Sequence, residues 1–528
     1  MTVAQLWKVV NCKNGSTPST ALPSYITAET LNAAFVAVST DNFCTVDPRD
    51  VASTIFSSER QATSTQDCCL CISKFTVESM LRRVKCTSPG ADNLPAWFFK
   101  ACSVELADII AHLFNISIKS GSYPRRWCTA LVTPIPKVPV PATASDMRPI
   151  SVTSLLSRLL EGYVAKVLLQ PSLPASMMLN QYAFRPTGST TCALVHIFHR
   201  VTSLLETNRY VRCLLVDFSK AFDTVDHALL LSKLVAVEVP VSIKMWVASF
   251  LSQRSQCTNF QGNVSSARSI NRGIVQGSAI GPTLFSIMIS DLQSHSADNE
   301  LFKYADDVTV LSAEHSGTEL VEEFDNIKCW AMVNKMSINL LKTKEIVFRR
   351  PHAMLDLPLL PDIERVTTAR LLGVYFTDVM SVVPHLSHIL TQCSQRFYLL
   401  KSLKLQGLPI MKLKVIYSGI IISKITYAIS AWGGFVSVAD ENRINGLLKR
   451  AFRYGYTDEL QSFQQLLQHA DDGLFQAMTS NMHCLHTLLP PIVSHVYNTR
   501  PRAHNMQLPS CCSALHKSSF MPRILFKQ

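Results

Sequence analysis

The sequence predicts an α+β chain assembled from more than one packed unit, and three observations carry that expectation. At 528 residues the chain exceeds the size at which a single core keeps growing, so roughly two to four units are expected. As far as Val374, β-prone runs alternate irregularly with helix-period segments; beyond it strand signals fade and apolar residues fall at helical spacing. Hydrophobic residues make up 47% and charged ones 17%, which excludes a disordered or low-complexity chain.

The stretch to about Ser73 is rich in Ser, Thr and Pro with weak periodicity, and reads as a linker or arm carrying one short helix around Ala28 to Val38. From Phe75 onward Val77, Met80, Leu81 and Val84 keep helical spacing, and Ser88-Pro89-Gly90 ends that helix before a second from Pro95 to about Lys119. β-type runs at Ala130 to Ile135 and Val211 to Asp217 flank helical segments at Val152 to Leu169 and Thr191 to Glu206. From His385 to Tyr454 residues such as Leu399, Leu403, Val415, Ile416, Ile420 and Leu447 predict a mainly helical unit. The apolar stretch from Val415 to Trp432 is interrupted by Lys424 and polar residues and reads as too short to span a bilayer. Met1 to Gly15 lacks a secretory pattern, so a soluble protein with no membrane partner is expected.

Lys plus Arg number 50 against 38 Asp plus Glu, a net charge of +12, which favours a polyanionic partner such as nucleic acid. The 16 cysteines are scattered without a repeated spacing, which suits reduced thiols in a nuclear or cytoplasmic protein rather than a secreted disulfide framework. Cys68, Cys69 and Cys71 crowd together, as do Cys511 and Cys512, but neither group has a second pair at finger spacing, so no zinc site is favoured.

The chemistry concentrates in Tyr304-Ala305-Asp306-Asp307, set between the β-prone Leu301-Phe302-Lys303 and Val308-Thr309-Val310-Leu311. Two adjacent acids between such runs suggest a hairpin tip. Their mutual repulsion calls for a cation, and a pair of Mg²⁺ ions would satisfy it while positioning an attack at phosphorus. Upstream, Leu214-Leu215-Val216-Asp217-Phe218 closes another apolar strand with an acid, and Asp217 is placed to face Asp306 across adjacent strands.

These segments resemble the ordered motif series of non-LTR retrotransposon reverse transcriptases of the jockey-like type, closely from Val77 to Val374. Ser88 to Pro95 is similar to the family's N-terminal extension, Ile135-Pro136-Lys137 with Asp146 to Ser151 to its fingers hairpin, and Asn180 to Pro186 to the insertion that follows. Gly273 to Phe285 resembles the template and nucleotide motif, although Val275 and Ile280 stand where Pro and Leu are common; Leu371-Leu372-Gly373-Val374 resembles the primer grip. The resemblance implies a right-hand polymerase: an N-terminal linker or arm over 1–73, N-terminal extension and fingers over 74–216, an antiparallel palm over 217–376, a helical thumb over 377–460 and a basic tail over 461–528.

It also implies roles. Asp217, Asp306 and Asp307 would be the catalytic, metal-binding carboxylates, holding two Mg²⁺ ions for which Mn²⁺ can substitute, with the Phe218 carbonyl as an added ligand. Lys137 and Arg148 would grip the triphosphate, Phe222 would block a ribose 2′-hydroxyl, and Gln276 and Gly277 would shape the nucleotide pocket. The acid that protonates pyrophosphate falls to Lys344 or Lys342, which the spacing does not separate. The implied partners are an RNA template, a DNA primer and dNTPs. Relatives of this type carry an upstream endonuclease, and none is read before Met1, so the polymerase half is expected, with an inactive nucleic-acid-binding remnant as the alternative.

Overall fold

In the computed structural model, which describes residues 25–44, 46–57, 71–350, 356–492, 504–511 and 513–527, strands are short and the helices between them complete each layer. In chain order the strands are β1 (Thr129–Pro136), β2 (Met147–Val152), β3 (Tyr210–Val216), β4 (Arg254–Phe260), β5 (Asn263–Val264) and β6 (Arg268–Ile270). They continue with β7 (Glu300–Tyr304), β8 (Asp307–Ala313), β9 (Lys344–Arg349), β10 (Glu364–Val366), β11 (Thr368–Leu371) and β12 (Val374–Thr377). The chain divides into two units built from interleaved segments: Met1–Leu179, Phe218–Leu292 and Cys329–Ser337 form one, and Asn180–Asp217, Gln293–Lys328 and Ile338–Gln528 the other.

The first unit holds a sheet in the order β2-β1-β4-β5, with β6 also paired to β4. β1 runs antiparallel to β2, setting Ile135 opposite Arg148, and parallel to β4. The described part of the segment expected to be a linker or arm, from Tyr25 to Ser57, contributes instead to this core. The helix Ala28–Val38 forms with the expected bounds because Thr27 and Thr30 build a capping box and Ala28, Leu31, Asn32 and Phe35 share one buried face. Fully buried Asn32 fastens it, donating to the Ser266 carbonyl at 2.9 Å and accepting from Thr258 Oγ1 at 3.1 Å. A second helix, Pro48–Ile55, escaped the sequence reading; its signal is the Asp47 cap followed by Pro at the first helical position. The helix expected from Pro95 to Lys119 is broken at Cys102 into Ala96–Ala101 and Ser103–Lys119.

The second unit holds a sheet in the order β10-β9-β3-β8-β7, with β11 and β12 as a separate hairpin. β3 lies at its centre, antiparallel to both β8 and β9, and Val211, Cys213, Leu214 and Val216 are buried. Glu345 on β9 is fully buried and held by Arg212 at 2.6 Å and Arg365 at 2.9 Å; removing either partner would leave charge stranded in the interior.

After β12 the chain is helical, as its periodicity predicts, through Val383–Leu405, Ile410–Tyr417 and Val438–Arg453. Ile410–Phe435 is, by length and composition, long and apolar enough to cross a bilayer, a longer run than the sequence reading allowed. Half of it is nevertheless buried in the protein, with Ile421, Ile425 and Trp432 inside and Ala428 interrupting the helix at φ +50°. The described part of 461–528 is packed rather than a free basic tail. Within it, Arg523 is clamped by Asp471 at 2.9 Å and donates to the Ser430 carbonyl. At Gly434 a side chain has no room, since a Cβ there would sit 2.0 Å from the Ser518 carbonyl oxygen. Arg500 and Arg502 lie outside the described residues.

Candidate active site

The acids sit in the second unit because β7 and β8 pair antiparallel up to Tyr304 opposite Asp307, leaving Ala305 and Asp306 as a two-residue turn. Ala305 takes φ +57°, a region that favours glycine and costs an ordinary residue about 1 kcal/mol or more. Tertiary contacts hold it there: the buried Gln181 accepts hydrogen bonds at Oε1 from Ala305 N (3.2 Å) and Ala183 N (3.0 Å), while Tyr182 N donates to the Lys303 carbonyl at 3.0 Å. Gln181 is a positioning residue that sequence reasoning missed; it lies within the Asn180 to Pro186 motif, but nothing local says where the side chain reaches.

Asp217 follows β3 directly. The register pairs Val216 with Val308, so continuing it sets Asp217 beside Asp307 rather than the expected Asp306, which occupies the turn. Its backbone is fixed on both sides: Asn339 N donates to the Asp217 carbonyl at 2.7 Å and Asp217 N donates to the buried Thr343 Oγ1 at 3.3 Å. Oδ2 of Asp217 is buried and receives no hydrogen bond, its close cation among the described residues being Lys342 Nζ at 3.4 Å.

Desolvation, then the charges of Asp306 and Asp217, push the Asp307 carboxyl up to about 6, with Lys342 opposing. An orphaned carboxylate oxygen beside two like charges is the donor set a hard divalent cation takes, so the residues present fit the implied metal. Of the two candidate lysines, Lys342 adjoins the acids, whereas Lys344 is paired with Glu364, its β10 neighbour across the strand register.

The remaining predicted residues lie in the first unit. Lys137 directly follows β1 in the loop of the β1–β2 hairpin, its Nζ donating to the Ser145 carbonyl at 2.8 Å, and with Lys220, Asp223, Phe35, Met147 and Pro149 it lines a cavity of about 200 Å³. Arg148, between Met147 and Pro149 on β2, points from the opposite strand face into solvent, so the structure does not bring it to Lys137's cavity. Phe222 stacks on Phe285 with centroids 4.2 Å apart, and Phe218 is buried against Trp330.

Gln276 donates from Nε2 to Asp223 at 2.8 Å and accepts at its carbonyl from Ser151 N at 2.8 Å, which docks its loop on β2. Gly277, at φ +109°, allows this close approach, because a Cβ would sit 2.4 Å from the Ser151 carbonyl oxygen. Asp223 was also missed as a site residue. Burial lifts its carboxyl to about 6, against the Gln276 hydrogen bond and the charges of Lys220 and Lys137. Its only sequence signal is a second acid shortly after Asp217.

Residues 135–376 match the family described as "Reverse transcriptase (RNA-dependent DNA polymerase)". This segment is a reverse transcriptase domain. It contains every predicted site residue from Lys137 to Lys344. The chain is 26% identical over 405 residues to the "Probable RNA-directed DNA polymerase from transposon BS" of Drosophila melanogaster, covering 72% of this chain and 44% of that protein. It is 28% identical over 274 residues to the "RNA-directed DNA polymerase from mobile element jockey" of the same fly, covering 49% and 30%. The "Probable RNA-directed DNA polymerase from transposon X-element" is 23% identical over 373 residues, covering 67% and 41%. The chain therefore spans less than half the length of these relatives, and the reverse transcriptase domain resembles that of non-LTR transposons.

Proposed function

We propose that this chain copies RNA into DNA as the polymerase of a non-LTR retrotransposon, joining dNTPs to a DNA primer on an RNA template in the nucleus or cytoplasm. The observation that carries the reading is the mutual repulsion of Asp307 with Asp306 and Asp217, together with a buried Asp217 oxygen that receives no hydrogen bond and is faced by Lys342. Two Mg²⁺ ions held by these carboxylates, or Mn²⁺ in their place, would supply the positive charge that eases deprotonation of the primer 3′-hydroxyl and offsets charge at phosphorus. The primer oxygen attacks the α-phosphate in line and pyrophosphate leaves.

The protein's own contribution is placement. Asn339 and Thr343 hold the Asp217 backbone, Gln181 holds the turn that carries Asp306, and Lys342 Nζ is the proton donor for pyrophosphate that the geometry favours over Lys344. Lys137, which lines the cavity, binds the triphosphate, while Arg148 faces away from it, and Phe222, backed by Phe285, excludes the 2′-hydroxyl. In right-hand terms, the five-stranded sheet around β3 is the palm, the β1–β2 hairpin belongs to the fingers, and the helices from Val383 to Arg453 form the thumb.

Purified protein given a primed RNA template, dNTPs and Mg²⁺ is expected to extend the primer to the template end. Folded protein that binds the primed template yet adds no nucleotide under Mg²⁺ or Mn²⁺ overturns the proposal in favour of a binding remnant.

A further inference from the structure

Within the second unit, away from the acids, Cys192, His483 and Cys484 bring their ligand atoms within 4.8 Å of one another, with Cys192 and His483 buried and Cys484 half-buried. A tetrahedral zinc with Zn–S bonds of about 2.3 Å needs its sulfurs about 3.8 Å apart, so the cluster closes on an ion with ångström-scale adjustment. We propose that these three side chains bind one zinc ion, a site independent of the polymerase carboxylates.

Three features support a built site. Cys192 is the third residue of the helix Thr190–Leu204, where the orphan N–H groups of a helix start stabilise a thiolate, and Ser189 Oγ donates to its sulfur at 3.1 Å. Thr187 joins the two sides across 297 positions of sequence: its hydroxyl accepts from Cys484 N at 3.1 Å, and its carbonyl accepts from the Cys484 thiol at 3.2 Å and the Cys192 thiol at 3.6 Å. The thiol protons now directed at that carbonyl leave on binding, and two thiolates cancel the charge of the ion, giving a neutral centre suited to burial.

Two sulfurs and an imidazole are soft and borderline donors, which select zinc over the magnesium that carboxylates take. Three protein ligands leave the fourth position to water. The ion would clip the turn at His483 and Cys484 to the segment that carries Gln181 and Asp217, bracing the acids without touching them.

Full-length protein, purified without chelator, is expected to contain about one more equivalent of zinc by elemental analysis than Cys192→Ser or Cys484→Ser. Cobalt substitution should give a thiolate-to-cobalt charge-transfer band that both variants lose. If the variants do not fold, the native chain still decides: zinc should protect Cys192 and Cys484 from alkylation, mapped by peptide mass, until a chelator is added. Equal zinc in native and variant proteins, equal alkylation with and without zinc, or a Cys192–Cys484 disulfide in the native chain overturns the site. None of these readouts depends on polymerase activity, so an inactive enzyme would leave the test intact.

Discussion

Two aspartates in different units, Asp307 at the β7–β8 hairpin and Asp223 in the Lys137 cavity, are both lifted to about 6, and in both burial is the first cause. Their surroundings then diverge. Asp307 has two more carboxylates beside it and one opposing lysine, whereas Asp223 has the Gln276 amide as a hydrogen-bond donor with Lys220 and Lys137 nearby. The first arrangement is incomplete without further positive charge; the second is already satisfied by the protein. Under the proposed function, a raised carboxylate marks a metal-binding position in one unit and a pocket-shaping position in the other, and the partners distinguish them.

The sharpest way to break this comparison is to remove charge at each. Asp306→Asn or Asp307→Asn should lower single-turnover primer extension by about 10³-fold or more while leaving affinity for primed RNA nearly unchanged, because phosphate contacts elsewhere carry binding. Asp223→Asn, which keeps a side chain able to pair with Gln276, should cost no more than about tenfold. A hairpin variant with near wild-type rates would remove the metal assignment.

Next in size is the support of the turn. Gln181→Leu strips the acceptor from two backbone N–H groups, at a cost of roughly 1–3 kcal/mol each where they stay buried, and frees the Ala305 turn from its φ of +57°. Extension should slow by about 10- to 100-fold with dNTP KM little changed, and Gln181→Glu, which keeps the acceptor oxygen, should recover part of the loss. If KM rises while kcat holds, Gln181 serves nucleotide binding instead of hairpin placement.

In the first unit, Phe222→Ala should relax discrimination between dNTPs and ribonucleotides by about 10- to 100-fold, read from the ratio of kcat/KM values. Unchanged selectivity in an active variant would reduce the ring to its stack on Phe285.

The smallest effect is in stability. Folded Asp307 and Asp223 hold protons up to about pH 6, whereas an unfolded aspartate loses its proton near about pH 3.9, so the folded state binds more protons between these values. Metal-free stability should therefore decline as pH rises from about 4 through about 6. Asp307→Asn and Asp223→Asn should each raise the metal-free melting temperature at pH 7 by roughly 1–3 °C. Saturating Mg²⁺ should abolish the gain from Asp307→Asn and leave that from Asp223→Asn, and the reverse pattern would exchange the roles assigned to the two acids.

Much of this was legible in local sequence. The β-prone runs around Asp217 and Asp306, the helical spacing after His385 and the capping residues at Thr27 depend on neighbours within a few positions, and a period of 2.0 or 3.6 records which face is buried. The acids announced themselves for the same reason: a carboxylate at the end of an apolar strand is costly unless it has work to do.

What tertiary structure decided is which distant groups meet. Strand register set Asp217 against Asp307 rather than Asp306, and the β9–β10 pairing took Lys344 away to Glu364 and left Lys342 beside the acids. The helix Ala28–Val38 of the Ser- and Thr-rich start became core because Asn32 finds partners on β4 and in the Ser266 loop more than two hundred positions away, and Arg523 is held by a buried aspartate. Each of these choices depends on hydrogen bonds and charges satisfied across long sequence separations, for which the local pattern of residues holds no record.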